Sequence, residues 1–156
     1  MKKLLTVLGL VFLFIIVLIA VGISVTAVQG SALDKESKAY VDRNLPLIIS
    51  QWDEAELLSR ASPEFIQNTK RKELDKYFAV LSEKFGKMQS YEGSDGQSYV
   101  NYRVLSSRNG KVVTAIYTVK VVFDAGPAAI KVTLIKHSDQ WQIECFNINS
   151  DVLIQH

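Results

Sequence analysis

The spacing of apolar residues changes character twice along this chain. From Leu4 to Val28 it is continuous: 25 residues carry no charge, and Thr6, Ser24 and Thr26 are the only hydroxyl residues among them. As a helix this run measures about 37 Å, enough to cross a hydrocarbon core with tilt. Between Leu33 and Phe85 apolar residues recur at steps of three, four and seven, the period of amphipathic helices. Leu33, Tyr40, Val41, Leu45, Ile48, Ile49 and Trp52 make a first stripe, with Asp34 as its N-cap. Pro46 falls inside that stripe and predicts a kink or a division near Asn44. Leu57 and Leu58 ride on a short turn or helix from Glu54 to Ser59. Ser62-Pro63 restarts the helical pattern, with Phe65 and Ile66 pointing inward. A long stripe of Leu74, Tyr77, Phe78, Leu81 and Phe85 comes next, and Gly86 stops it.

Beyond the polar segment Ser90–Gly96, read as a loop, the period becomes two. Tyr99–Leu105, Lys111–Phe123, Ala128–Lys136 and Gln140–Asn149 are strands. Asn109-Gly110, Asp124–Pro127 and His137–Asp139 are the turns between them. The second strand places Val113, Ala115, Tyr117, Val119, Val121 and Phe123 on one face. The third does the same with Ile130, Val132 and Leu134. In the fourth, Trp141, Ile143 and Cys145 share one parity while Phe146 and Ile148 take the other, which predicts a bulge or strong bend. These periods imply the fold class α+β: an N-terminal transmembrane helix, then helices packed on a curved four-stranded antiparallel meander.

The uncharged run also sets the domain plan, 1–30 as anchor and 31–156 as an exported domain. Its length exceeds the apolar core of a cleavable signal and favours an uncleaved signal anchor. Lys2 and Lys3 before it favour a cytoplasmic start and an extracytoplasmic domain. Cleavage near Ala27 or Ala32, which would release the domain, is the alternative. Charge removes another possibility. The chain has 18 Lys and Arg against 16 Asp and Glu; without Lys2 and Lys3 the balance is 16 to 16. A neutral exported part lacks the basic excess of a nucleic-acid-binding domain. The lone Cys145 can form no internal disulfide; it reads as a small buried hydrophobe in a strand, or else as half of an intermolecular bridge. No sequence pattern for a metal, a phosphate cradle or a nucleophile elbow occurs, and no cofactor is expected.

The order helix, short helix, long helix, curled meander resembles the nuclear-transport-factor-two-like (cystatin-like) α+β superfamily. The residues carrying the likeness are Ile49…Trp52-Asp53, the restart Ala61-Ser62-Pro63-Glu64-Phe65, and Phe85-Gly86. The resemblance implies a cone-shaped domain whose sheet wraps a central pocket, and often homodimers formed through the sheet. Tyr77, Phe78, Trp141 and Phe146 are the aromatics available to line such a pocket, with Tyr99, Tyr102 and Tyr117 as its tyrosines. At helical or strand spacing the same side chains serve equally well as core. Enzymes of this superfamily place an acid or an Asp-His pair deep in the cone. Here His137 falls in a turn and His156 ends the chain, so catalysis is the weaker expectation. A membrane-anchored accessory protein that binds a protein partner or itself is the leading one. A small-molecule binder or isomerase- or dehydratase-like enzyme, and a secretion-system assembly factor, are the rivals.

Overall fold

The computed structural model describes residues 30–103 and 110–153, the side chains at 101–103 and 110–111 excepted. The uncharged run 4–28 and the Asn109 half of the first hairpin turn lie outside the described residues. Among those described, no helix is long and apolar enough to cross a membrane. The chain divides into two compact units, 1–33 and 34–156, and the second contains the whole sheet.

Among the described residues four helices precede four strands: α1 (30–49), α2 (Glu54–Arg60), α3 (Pro63–Asn68), α4 (Arg71–Phe85), β1 (Met88–Arg103), β2 (Gly110–Phe123), β3 (Gly126–His137) and β4 (Gln140–Asn149). A 3-10 turn, Asp151–Leu153, comes after β4. The strands form one antiparallel sheet in the order β1-β2-β3-β4, a plain meander. The class is α+β, helices packed on a four-stranded antiparallel sheet.

The core lies between the helices and one sheet face. Val113, Ala115, Tyr117, Val119, Val121 and Phe123 of β2 are all buried, with Ala128, Ile130, Val132 and Leu134 of β3. Val41, Leu45, Ile48 and Ile49 of α1, and Leu74, Phe78, Leu81 and Phe85 of α4, are buried as well. Each set follows the expected period, two on the strands and three to four on the helices.

The punctuation between helices is local chemistry. The Asp53 carboxylate accepts from the amides of Ala55 (2.8 Å) and Glu56 (3.2 Å) and starts α2. Ser62 Oγ accepts from Phe65 N–H (3.1 Å) and Pro63 takes the first turn of α3. Gly86 (φ 69°) ends α4, its N–H donating to Ser82. The β3–β4 turn consists of Ser138 and Asp139, both with positive φ, as a two-residue turn matched to strand twist requires.

Several expectations are corrected. Pro46 does not divide α1, which is helical through residue 49. Buried residues on both sides of it, Leu45 and Ile48, hold the flanking turns to the core despite the lost hydrogen bond. Asp34 is no N-cap, because the helix is already running at residue 30; its carboxylate accepts from Ser98 of β1 instead. Ser90–Gly96 is strand, not loop. Register shifts between Met88 and Ser90 and between Tyr91 and Ser94 let this polar stretch stay paired with β2. Ile66 is about half exposed on α3, a helix of six residues whose single inward side cannot hold both Phe65 and Ile66.

The parity break in β4 is real but falls one residue earlier than the apolar pattern implied. Thr133 pairs with Cys145 and Leu134 with Ile143, so Glu144 is the extra residue. After this bulge Phe146 and Ile148 turn inward. Cys145 turns outward and is exposed, contrary to its reading as a buried hydrophobe.

Candidate functional site

The interior side of the sheet is organised by an aromatic cluster. Trp52 follows α1 with φ 53°, a left-handed turn that throws its indole back under α4. There it stacks on Phe123 (centroids 5.0 Å, planes at 27°), tilts against Phe85 (5.7 Å) and meets Phe78 edge-on (6.4 Å). Its Nε1–H donates to the Gly86 carbonyl at 2.9 Å, so the indole is satisfied at both its apolar and its polar end. Phe78 continues the chain of rings to Phe146 (6.0 Å) and Tyr77 (6.3 Å).

Of the seven aromatics proposed for a pocket, the structure thus joins Tyr77, Phe78 and Phe146. Tyr117 is buried elsewhere, its hydroxyl bonded to Ser37 Oγ (2.9 Å) and donating to the Asp34 carbonyl (3.0 Å). Burial, with the Asp34 and Asp42 charges behind it, pushes the Tyr117 phenol up, against the hydrogen bond from Ser37 and the Lys38 charge. Tyr99 is exposed on β1. Tyr102 pairs with Lys111 in the ladder, and its side chain lies outside the described residues.

Trp141 belongs to a separate cleft of about 450 Å³ between α1 and the β3–β4 turn, lined by Glu36, Ala39, Tyr40, Arg43, Asp139, Gln140 and Trp141. The Lys136 ammonium lies 5.6 Å from the Trp141 ring centre, within cation–π range. It is held there by Glu36 (2.9 Å) and Asp139 (3.6 Å). The Trp141 Nε1 is buried with no hydrogen-bond partner. Burial raises the Tyr40 phenol above its ordinary value, the Arg60 charge opposing. An aromatic ring, a cation paired with two carboxylates, and Arg43 together give this cleft an amphipathic lining.

Two polar arrangements had no signal in the apolar pattern. Asp34, Lys38 and Asp42, at steps of four on α1, form a seam along the outer edge of β1. Asp34 accepts from Ser98 N–H and Oγ–H (both 2.6 Å), and Asp42 from Ser94 N–H (3.0 Å) and the Tyr91 hydroxyl (2.8 Å). Lys38 donates to the Ser94 carbonyl and pairs with Asp42 at 2.9 Å. Partial burial pushes the Asp42 carboxyl up, but hydrogen bonds from Lys38, Ser94 and Tyr91 outweigh it and hold it below the ordinary carboxylate range. Burial and the Asp42 carboxylate push the Tyr91 phenol far up.

The other arrangement joins Glu64 of α3 to His137 at the end of β3, Oε2 to Nε2 3.3 Å. The Glu64 carboxyl is lowered by its own backbone N–H first, then by His137 and Ser62, with burial opposing. Sequence spacing alone, 73 positions between them, gave no reason to connect the two. The α2–α3 link runs along the far edge of the sheet, where Ser62 N–H donates to the Ile143 carbonyl (2.8 Å), and this brings Glu64 to the β3–β4 turn. Among the described residues, no group of three or more His, Cys, Asp or Glu is placed to hold a metal ion.

The fold and these sites define an α+β domain with a helix-covered antiparallel meander, both edges of which carry helix-borne hydrogen-bond partners. Comparison of the chain with protein-family models, curated proteins and solved structures finds no match.

Proposed function

We propose that this protein is a membrane-anchored, non-catalytic accessory protein with a nuclear-transport-factor-two-like exported domain that binds a partner protein or a second copy of itself. The observation that carries the reading is the joining of two things in one chain. One is the uncharged run 4–28 behind Lys2 and Lys3. The other is a domain in which Phe78, Phe85 and Phe123, on the core side of the sheet, are linked ring to ring through Trp52. A cone that binds a small substrate needs a hollow on that side. The α1/β3–β4 cleft, with the free Trp141 N–H, favours a second reading in which a small amphipathic ligand binds outside the hollow.

Cross-linked pull-down from membranes, with the full chain and with a variant lacking 4–28, tests the proposal. The same partner, or a second copy, recovered by both forms places recognition in residues 31–156. Recovery of neither by either form, with the domain monomeric by light scattering, refutes it. Specific retention of small molecules by the purified domain, abolished by Trp141→Ala, supports the second reading.

A further inference from the structure

The cleft between α1 and the β3–β4 turn holds charges that do not balance one another in place. Every residue of its lining belongs to the unit 34–156. Lys136, which lies over the Trp141 ring, pairs with Glu36 at 2.9 Å and with Asp139 at 3.6 Å. One cation between two carboxylates leaves a negative charge in excess there. Arg43, two turns along α1 from Glu36 or about 10 Å in rise, is exposed and has no ion pair among the described residues. Arg60, whose charge reaches the Tyr40 phenol, is already taken by Asn44 (2.7 Å) and Glu56. The cleft therefore offers one unmet positive and one unmet negative charge, and these four charged side chains sum to zero.

Two neutral donors add to this. The hydroxyl of Tyr40, on a half-buried residue, has no hydrogen bond among the described residues. The Trp141 Nε1–H is buried without a partner, on a residue only 6% exposed. Buried N–H groups are nearly always bonded, so this one marks a place where an acceptor is due. On α1, Ala39 and Tyr40 lie between the two charged positions, and the Trp141 ring completes an apolar strip. The volume of about 450 Å³ falls in the lower part of the range for small-molecule sites.

We propose that this cleft binds a small zwitterion of the amino-acid type, an ammonium and a carboxylate carried on one apolar body. The inference rests on the second reading above, that a small ligand occupies the cleft, and gives that ligand its chemistry. The carboxylate goes to the Arg43 guanidinium and the Tyr40 hydroxyl. The ammonium goes to Glu36 and Asp139, which Lys136 alone does not neutralise. The apolar body lies on Ala39 and the Trp141 ring. The covered Trp141 N–H meets a ligand oxygen when the ring swings outward, so its resonance reports occupancy. A simple anion would add to the negative charge already in excess, and a simple cation would leave Arg43 unmet. Each charge-assisted contact at a partly exposed site strengthens binding about tenfold, so the zwitterion should exceed either single-charge analogue by about that factor.

The test uses the full chain in uncharged detergent, isotope-labelled at its indole nitrogens. The two tryptophans give two indole N–H signals, assigned with Trp141→Phe; Trp52, bonded to the Gly86 carbonyl, is the internal reference. The probes are phenylalanine and glycylphenylalanine, which differ in the spacing of their charges. Phenethylamine and hydrocinnamate are the single-charge analogues. The expected result is saturable movement of the Trp141 signal with Trp52 still, one zwitterion binding about tenfold more tightly than both analogues. Arg43→Gln should bring that zwitterion down to the level of phenethylamine, and Glu36→Gln toward that of hydrocinnamate. An unchanged Trp52 signal shows that each variant is folded, so lost binding counts. A zwitterion no tighter than its analogues, or indifferent to Arg43→Gln, overturns the assigned chemistry and leaves a small ligand in the cleft. No saturable movement with any of the four probes, or equal movement of both indoles, overturns the second reading as well.

Discussion

Replacing Gly96 by alanine probes the closest approach in the sheet. Gly96 pairs with Tyr117, and a Cβ there would overlap the Ile116 carbonyl oxygen and lie 2.8 Å from Tyr117 Cα and 2.9 Å from Ile116 C. All three are backbone atoms, so the clash cannot be relieved by a rotamer change. β1 and β2 must separate locally, and two ladder hydrogen bonds lost at about 0.5–1.5 kcal/mol each give about 1–3 kcal/mol. The positive φ adds about 1–3 kcal/mol, and reduced freedom of the unfolded chain returns about 0.4–1 kcal/mol. The sum is about 1–6 kcal/mol. Gly93→Ala is the internal control, since its φ of 88° costs an alanine about 1–2 kcal/mol, yet no atom lies within 4 Å of the added Cβ. Urea unfolding followed by circular dichroism gives both values on one scale. Gly96→Ala should be the more costly by at least about 1 kcal/mol, the loss of about one ladder hydrogen bond. Equal costs, or a Gly96→Ala protein as stable as the parent, would refute the register drawn for β1 on β2.

Three further outcomes are expected. Asp42→Asn should cost about 1–2 kcal/mol at neutral pH, by weakening bonds from Lys38, Ser94 and Tyr91. Because the folded carboxyl is held below its unfolded value of about 3.9, that stability is present above about pH 4 and lost as pH falls through the folded pKa. Unfolding midpoints of parent and variant should therefore converge in acid, and a gap that widens there contradicts the sign. Phe78→Ala, at the junction of Trp52, Tyr77 and Phe146, should cost about 3–5 kcal/mol by differential scanning calorimetry. Cys145 should react with maleimide in the folded protein at nearly the rate of a free thiol, and Cys145→Ser should change stability by less than about 0.5 kcal/mol. A thiol that reacts only after denaturation would return it to the core.

What could be read in advance was whatever depends on period. The buried faces of β2 and β3 and the stripe of α4 come directly from spacings of two and of three to four, because each face meets one uniform partner, the core. The Ser62-Pro63 restart and the Gly86 stop were readable for a similar reason, being satisfied by chemistry within a few residues. Where a long-range partner decides, period misleads. Ser90–Gly96 has a loop's composition, yet it is strand because β2 is beside it and Asp42 of α1 meets its backbone and its Tyr91. Cys145 shares the parity of Trp141 and Ile143, and only the displacement of Glu144 reverses it.

The candidate sites show the same limit more sharply. Rings chosen for a common pocket were selected by type and by face, and neither sets the distance between elements that meet only after folding. Tyr77, Phe78 and Phe146 come together because α4 lies over the inward part of β4 beyond the bulge. Trp141, before the bulge, is carried to α1 instead. The bulge turns Phe146 to the face that Trp141 already occupies, but the two rings lie at different places along the strand and meet different helices. Glu64 and His137 are joined by the opposite effect, a connection along the sheet edge that no local pattern encodes. A single backbone bridge, Ala61 to Ile143, fixes that edge, so the site-level geometry of this domain depends on pairing at its last strand more than on any one side chain.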